Sequence, residues 1–152
     1  MRKSSLMLTL VATSVASADL YSLEFTAVAD FVGPVTGALT LDLDATAAGS
    51  FTGLVGTNFG PAAASGSAIF APALNTGSIL GDLNFGPAGV YTLDLAFLAS
   101  GNGAGTISGF DPGAGGVVTG DIFVSDWSIT AVPAPGALAL IGLAGLGRRR
   151  RA

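Results

Sequence analysis

The sequence predicts an all-β fold: a small antiparallel β-sandwich or jelly-roll-like domain, preceded by an N-terminal signal helix and followed by a short C-terminal transmembrane helix. Three observations predict it. Apolar and polar residues alternate with a period of two through most of the interior, the spacing that gives a strand one buried and one wet face. Stretches such as VGP, AAG, FGPA, SGNGAG and DPGAGG separate the alternating runs and mark turns. Lys3 and Glu24 are the sole residues of the two types that usually populate helix surfaces, so helix propensity is low.

The strands follow in chain order. LYSLEFTAV turns Leu23, Phe25 and Ala27 to one face and Ser22, Glu24 and Thr26 to the other. ALTLDLDA sets Leu39, Leu41 and Leu43 against Thr40, Asp42 and Asp44. VYTLDLAFLA aligns Tyr91, Leu93, Leu95 and Phe97 against Thr92 and Asp94. DIFVSDWSITAV places Phe123, Trp127 and Ile129 inward, with Val124, Asp126 and Ser128 outward. Weaker candidates are Phe51 to Val55, Ala68 to Ala71, Ile79 to Phe85 and Thr106 to Phe110. Seven to nine short strands between Asp19 and Val132 are enough for one core. The Gly-rich stretches 49–66 and 99–120 are expected to form mobile loops or weak edges.

Charge divides the chain into three segments. Of the six basic residues, Arg2 and Lys3 lie at the start and Arg148, Arg149, Arg150 and Arg151 at the end. All ten acids (Asp19, Glu24, Asp30, Asp42, Asp44, Asp82, Asp94, Asp111, Asp121 and Asp126) lie between them. The interior therefore carries ten carboxylates and no cation to pair with them. Phosphate binding needs Lys and Arg, so nucleic acid is excluded as a partner of this domain. The chain has no Cys and no His, which removes disulfides, thiolate metal sites, Cys nucleophiles and the commonest general base.

MRKSSLMLTLVATSVASA at residues 1–18 has the three parts of a secretory signal. Arg2 and Lys3 form a positive start, Leu6 to Val15 an apolar run, and Ala16-Ser17-Ala18 a small-x-small cleavage site. At the other end, residues 132–152 comprise Val132-Pro133-Ala134-Pro135, a Gly/Ala/Leu/Ile run over 136–147, and the arginines at 148–151. A charge at the bilayer centre costs about 2.5–3.5 kcal/mol on insertion scales, so four consecutive arginines act as a stop-transfer signal. The apolar run is only about 18 Å long as a helix, short against a hydrocarbon core of about 30 Å. That length suits a segment held long enough to be cut, and leaves a permanent anchor as the alternative. Each proline keeps its surroundings extended, as a protease cleft requires.

This arrangement resembles the PEP-CTERM sorting signal, in which a Pro-Glu-Pro-like motif precedes a short membrane segment and a basic tail. Pro133 and Pro135 match the two prolines, and Ala134 stands where the family most often has Glu. The resemblance covers the last 20 or so residues together with the signal peptide. It implies processing by signal peptidase and by exosortase, a membrane transpeptidase-type enzyme of Gram-negative bacteria. It also implies transient inner-membrane insertion, then residence at the cell surface, with exopolysaccharide or biofilm matrix as the setting.

The interior offers little chemistry of its own. Asp42 and Asp44 share a strand face about 7 Å apart, a separation that glycosidase carboxyl pairs permit, but no cleft is legible around them. No enzymatic activity is expected. Calcium is the one cofactor the residue types allow, through Asp42, Asp44, Asp111 and Asp121 as hard oxygen donors, although no calcium-loop spacing exists. GNGAG at 101–105 does not fit a phosphate-binding loop. The expected function is structural or adhesive within an extracellular polysaccharide matrix, the alternatives being a carbohydrate- or calcium-binding module and a hydrolase.

Overall fold

A computed structural model describes residues 19–111 and 113–133. Eight strands follow one another: β1 (Asp19–Ala29), β2 (Gly33–Leu43), β3 (Ala48–Thr57), β4 (Gly60–Ala71), β5 (Thr76–Asn84), β6 (Val90–Phe97), β7 (Gly103–Asp111) and β8 (Gly116–Ala131). Short 3-10 turns at Pro72–Leu74 and Gly86–Ala88 interrupt two of the connections. Each of the clear and weaker strand candidates overlaps one of these eight elements, although Asp44, Ala45, Phe85, Leu98, Ala99 and Val132 at candidate ends lie beyond the strands. The expected signal helix and transmembrane helix lie outside the described residues. Among the described residues no helix is long and apolar enough to cross a membrane.

The sheet closes on itself, which corrects the expected sandwich or jelly-roll. Every strand pairs antiparallel with the next, and β8 returns to pair with β1, giving a closed up-and-down barrel. Period-two alternation says that one face is dry; it does not say whether a second sheet or the opposite wall of the same sheet covers it. The connections decide. They are two to five residues long, enough for hairpins between neighbours but too short for the long crossovers of a jelly roll. Closure also leaves no unpaired edge for another chain to join.

Register gives the barrel its shape. Following cross-strand partners from Thr130 leads through Ser22, Thr40, Thr52, Ser65, Asp82, Thr92 and Ser108 back to β8 at Thr119, eleven positions earlier. That stagger requires the strands to tilt against the barrel axis. One of the eleven positions is a β-bulge. Thr26 pairs with Asp126 and Ala27 with Val124, so Ser125 has no partner on β1. Ser125 and Asp126 are both exposed, while Val124 and Trp127 on either side are both buried.

The bulge overturns part of the expectation for β8. Strict alternation places Phe123 inward and Val124 outward. Instead Phe123 is 61% exposed and Val124 is buried. An extra residue reverses the facing of everything on one side of it, and nothing in the spelling DIFVSDW announces that residue.

The interior is filled with side chains. Leu23, Leu39, Leu41, Leu93, Leu95, Phe51, Phe70 and Phe97 are among its fully buried members, and among the described residues no polar or charged side chain is buried with them. Ring centroids of Phe97 lie 5.7 Å from Phe25, 5.5 Å from Phe70 and 5.2 Å from Trp127. Such contacts add to area burial. The outer wall carries many Thr, Ser and Asp side chains, interspersed with exposed Leu54, Ile69, Leu80, Phe110, Val117 and Phe123.

Glycine makes room for these rings. The Phe25 ring lies against Gly37 of β2, where a Cβ would collide with it. Phe51 reaches across two strands, and a Cβ on Gly66 or Gly81 would come within 2.8 or 2.7 Å of its ring. The stretches 49–66 and 99–120 are therefore not mobile loops or weak edges: they contain β3, most of β4, β7 and the start of β8. Their glycines and alanines are the small partners of large residues on neighbouring strands, an alternation that small barrels need to fill their taper.

Candidate functional site

The meander sorts the molecule into two ends and a wall. The start of β1 and the finish of β8 lie at one end. The β2–β3, β4–β5 and β6–β7 connections share that end. The β1–β2, β3–β4, β5–β6 and β7–β8 connections form the opposite mouth.

At the end where β1 starts and β8 finishes, the Val132 N–H donates to the Leu20 carbonyl at 2.8 Å, so pairing with β1 continues one step beyond β8. Val132 is exposed and Pro133 follows it immediately. Of the expected processing motif, Val132 and Pro133 are thus at the barrel's rim. Ala134 and Pro135, the stop-transfer arginines Arg148, Arg149, Arg150 and Arg151, and the signal-cleavage residues Ala16 and Ala18 lie outside the described residues.

Asp44 stands at the same end, in the β2–β3 turn. Its Oδ1 accepts from the Thr46 N–H at 2.7 Å, the Thr46 hydroxyl at 2.6 Å and the Ala48 N–H at 3.4 Å. These bonds, chiefly the one from the Thr46 side chain, hold its carboxyl below the usual carboxylate range. A general acid needs the opposite shift, so Asp44 works as a turn brace. Asp42, two residues earlier, is exposed on the outer face of β2.

The four calcium candidates are not gathered into one site. Asp44 and Asp111 occupy opposite ends of the barrel. Asp121 lies on β8 beside Asp30, where its N–H donates to Asp30 Oδ2 at 3.2 Å and its carbonyl accepts from the Asp30 N–H at 2.9 Å. No group of three or more carboxylates able to hold a metal ion occurs among the described residues.

Two features of the wall are not legible in the sequence. One is the row from Thr130 to Thr119 traced above, eight hydroxyl-bearing residues and Asp82 running from strand to strand around the barrel. The other is a shallow cavity of about 260 Å³ beside the bulge, lined by Glu24, Thr26, Thr36, Asp126 and Ser128 over Phe25, Gly37 and Trp127. Here Thr26 and Ser125 share a hydroxyl hydrogen bond at 3.1 Å across the β1–β8 seam. Both features depend on cross-strand register, which local sequence does not specify. Trp127 lies in the core, 6% exposed, as its alternation indicated.

The mouth holds the more apolar cavity. About 270 Å³ is enclosed by Phe31 and Val32 of the β1–β2 turn, Phe59 of the β3–β4 turn, Phe85 and Ala88 between β5 and β6, Tyr91 of β6, and Ile107 and Asp111 of β7. Phe85 and Tyr91 meet at an interplanar angle of 83° with centroids 5.6 Å apart, so two adjacent walls stand nearly at right angles. Phe31 is 47% and Phe59 69% exposed. Phe31 also has φ +47°, a left-handed backbone that costs a side-chain-bearing residue about 1–2 kcal/mol. Asp111 is braced by the Gly113 N–H, which donates to its Oδ1 at 2.7 Å. The one signal in the sequence is that three of the nine Phe, Phe31, Phe59 and Phe85, fall in connections. No family model, curated protein or solved structure matches the chain.

Proposed function

We propose that this is an exported, surface-sorted protein of the PEP-CTERM type, acting as a structural or adhesive component of an extracellular polysaccharide matrix. In this reading signal peptidase removes residues 1–18 and the barrel is exported. The tail at 136–147 is then held in the inner membrane by Arg148 to Arg151 until an exosortase-type enzyme cuts near Val132-Pro133-Ala134-Pro135. The supporting observation is the closeness of the barrel to that motif: β8 ends at Ala131, and Val132 is still bonded to Leu20. One end of the barrel would face the membrane during processing, and the wall and far mouth would remain free.

Intact-mass measurement of surface-extracted protein tests the reading. Loss of the first 18 residues and of the arginine tail is the expected result. A mature surface pool that retains Arg148 to Arg151 would favour a permanently anchored protein instead.

The row of hydroxyls around the wall favours a second reading, a carbohydrate-binding module. Calorimetric titration of the full chain with acidic and neutral exopolysaccharides separates the two. Saturable heat supports specific carbohydrate recognition, and its absence across the panel supports a passive structural part.

A further inference from the structure

We infer that the mouth cavity is a binding site for a small organic ammonium ion, one whose charge is wrapped in methyl groups or a ring. The inference is independent of the sorting proposal. Four aromatic side chains, Phe31, Phe59, Phe85 and Tyr91, meet around the cavity, and the single charged group in its lining is Asp111. Aromatic faces carry negative potential and attract cations whose shells are apolar. The near-perpendicular Phe85 and Tyr91 rings form a corner in which such an ion touches two aromatic walls.

Charge excludes other ligand classes. Ten carboxylates and no Lys, Arg or His occur between residues 4 and 147, so the domain repels anions and draws cations toward any concave region. A bare metal ion needs several oxygen ligands, and the lining supplies one carboxylate. A sugar needs several hydrogen-bonding side chains. Here the Tyr91 hydroxyl is directed to the Phe110 carbonyl at 3.5 Å, leaving the Asp111 carboxylate as the main polar group. At about 270 Å³ the cavity is near the lower bound of ligand pockets, about 300 Å³, which suits a trimethylammonium head rather than a large molecule.

Exposure and strain at the same place support the assignment. Four Phe are exposed among the described residues, Phe31, Phe59, Phe110 and Phe123; of these Phe31 and Phe59 line one cavity, and Phe31 holds its ring there at a left-handed backbone position. Sparsely populated backbone conformations of this kind cluster at ligand clamps.

The test titrates choline chloride into the full-length chain in a maltoside detergent at low salt, following the Phe and Tyr ring resonances. Saturable binding with Kd on the order of 1 mM is expected. The neutral isostere 3,3-dimethylbutan-1-ol should bind at least about tenfold more weakly, because it lacks the charge. Phe59→Ala and Asp111→Asn should each weaken choline about fivefold or more. Phe123→Ala, which removes a comparably exposed ring from the wall, should leave choline binding unchanged. Far-ultraviolet circular dichroism confirms that each variant keeps its sheet. The inference is overturned by no saturation up to tens of millimolar choline, by equal binding of the neutral alcohol, or by equal loss in Phe123→Ala and Phe59→Ala. Capture by phosphatidylcholine vesicles without any response to free choline would also overturn it.

Discussion

The Trp127 indole N–H donates to the Leu98 carbonyl at 3.1 Å, tying β8 to the connection that follows β6 across the width of β7. The same ring packs against Phe97 and Phe70, with centroids 5.2 and 6.0 Å away. Trp127 is also the inward residue just past the Ser125 bulge, so one side chain fixes both the facing of the end of β8 and the position of a neighbouring loop.

Replacing Trp127 with Phe keeps a ring in the core but leaves the Leu98 carbonyl without that donor. Chemical denaturation of the full-length chain should show a loss of about 1–3 kcal/mol. Trp127→Ala should cost about 3–5 kcal/mol by opening a cavity between Phe70 and Phe97. A Phe variant as unstable as the Ala variant would mean that the hydrogen bond, not the packing, carries the contribution.

The fit of Phe25 against Gly37 makes a paired prediction. Gly37→Ala places a methyl where the Phe25 ring lies and should destabilise by about 1–3 kcal/mol through overpacking. In a Phe25→Ala background the same change should cost much less, because the obstructing ring is gone. Residues in direct contact couple in this way. Equal costs in both backgrounds, measured as a double-mutant cycle in urea, would contradict the packing.

Asp44 predicts a pH dependence. Its carboxyl is lowered by hydrogen bonds from Thr46, and a group depressed on folding contributes stability above its unfolded value, near 3.9. That contribution is lost as pH falls through the lower folded value. Asp44→Ala should therefore be less stable than the parent at pH 6, and the gap should narrow once pH falls below about 4. Urea unfolding at stepped pH checks it, and a gap independent of pH would show that the turn does not need an ionised brace.

Strand positions and their inward faces were legible in the sequence wherever the alternation ran unbroken, as from Leu23 to Ala27, Leu39 to Leu43 and Tyr91 to Phe97. Phe123 and Val124 were misread because a bulge changes facing without changing composition. The Gly-rich segments were misread for a different reason. Glycine is costly in an isolated strand, and it takes the Phe25 ring at Gly37, and the Phe51 ring together with neighbouring backbone at Gly66 and Gly81, to make these positions fit the interior. Alternation places Asp44 on a strand face with Asp42, but β2 ends at Leu43 and Asp44 opens the β2–β3 turn, where its carboxylate accepts from Thr46 instead of extending the strand.

By itself the sequence determined local matters: which residues extend, which side of most strands avoids water, the exclusion of cations from residues 4–147, and the separate character of the two ends. These follow from covalent neighbours and side-chain chemistry. The tertiary structure decided that the sheet closes, that Ser125 stands outside the ladder, and that Phe31, Phe59, Phe85, Tyr91 and Asp111 meet at one mouth. Those outcomes depend on register summed around eight strands, a non-local quantity in which one inserted residue redirects every side chain beyond it.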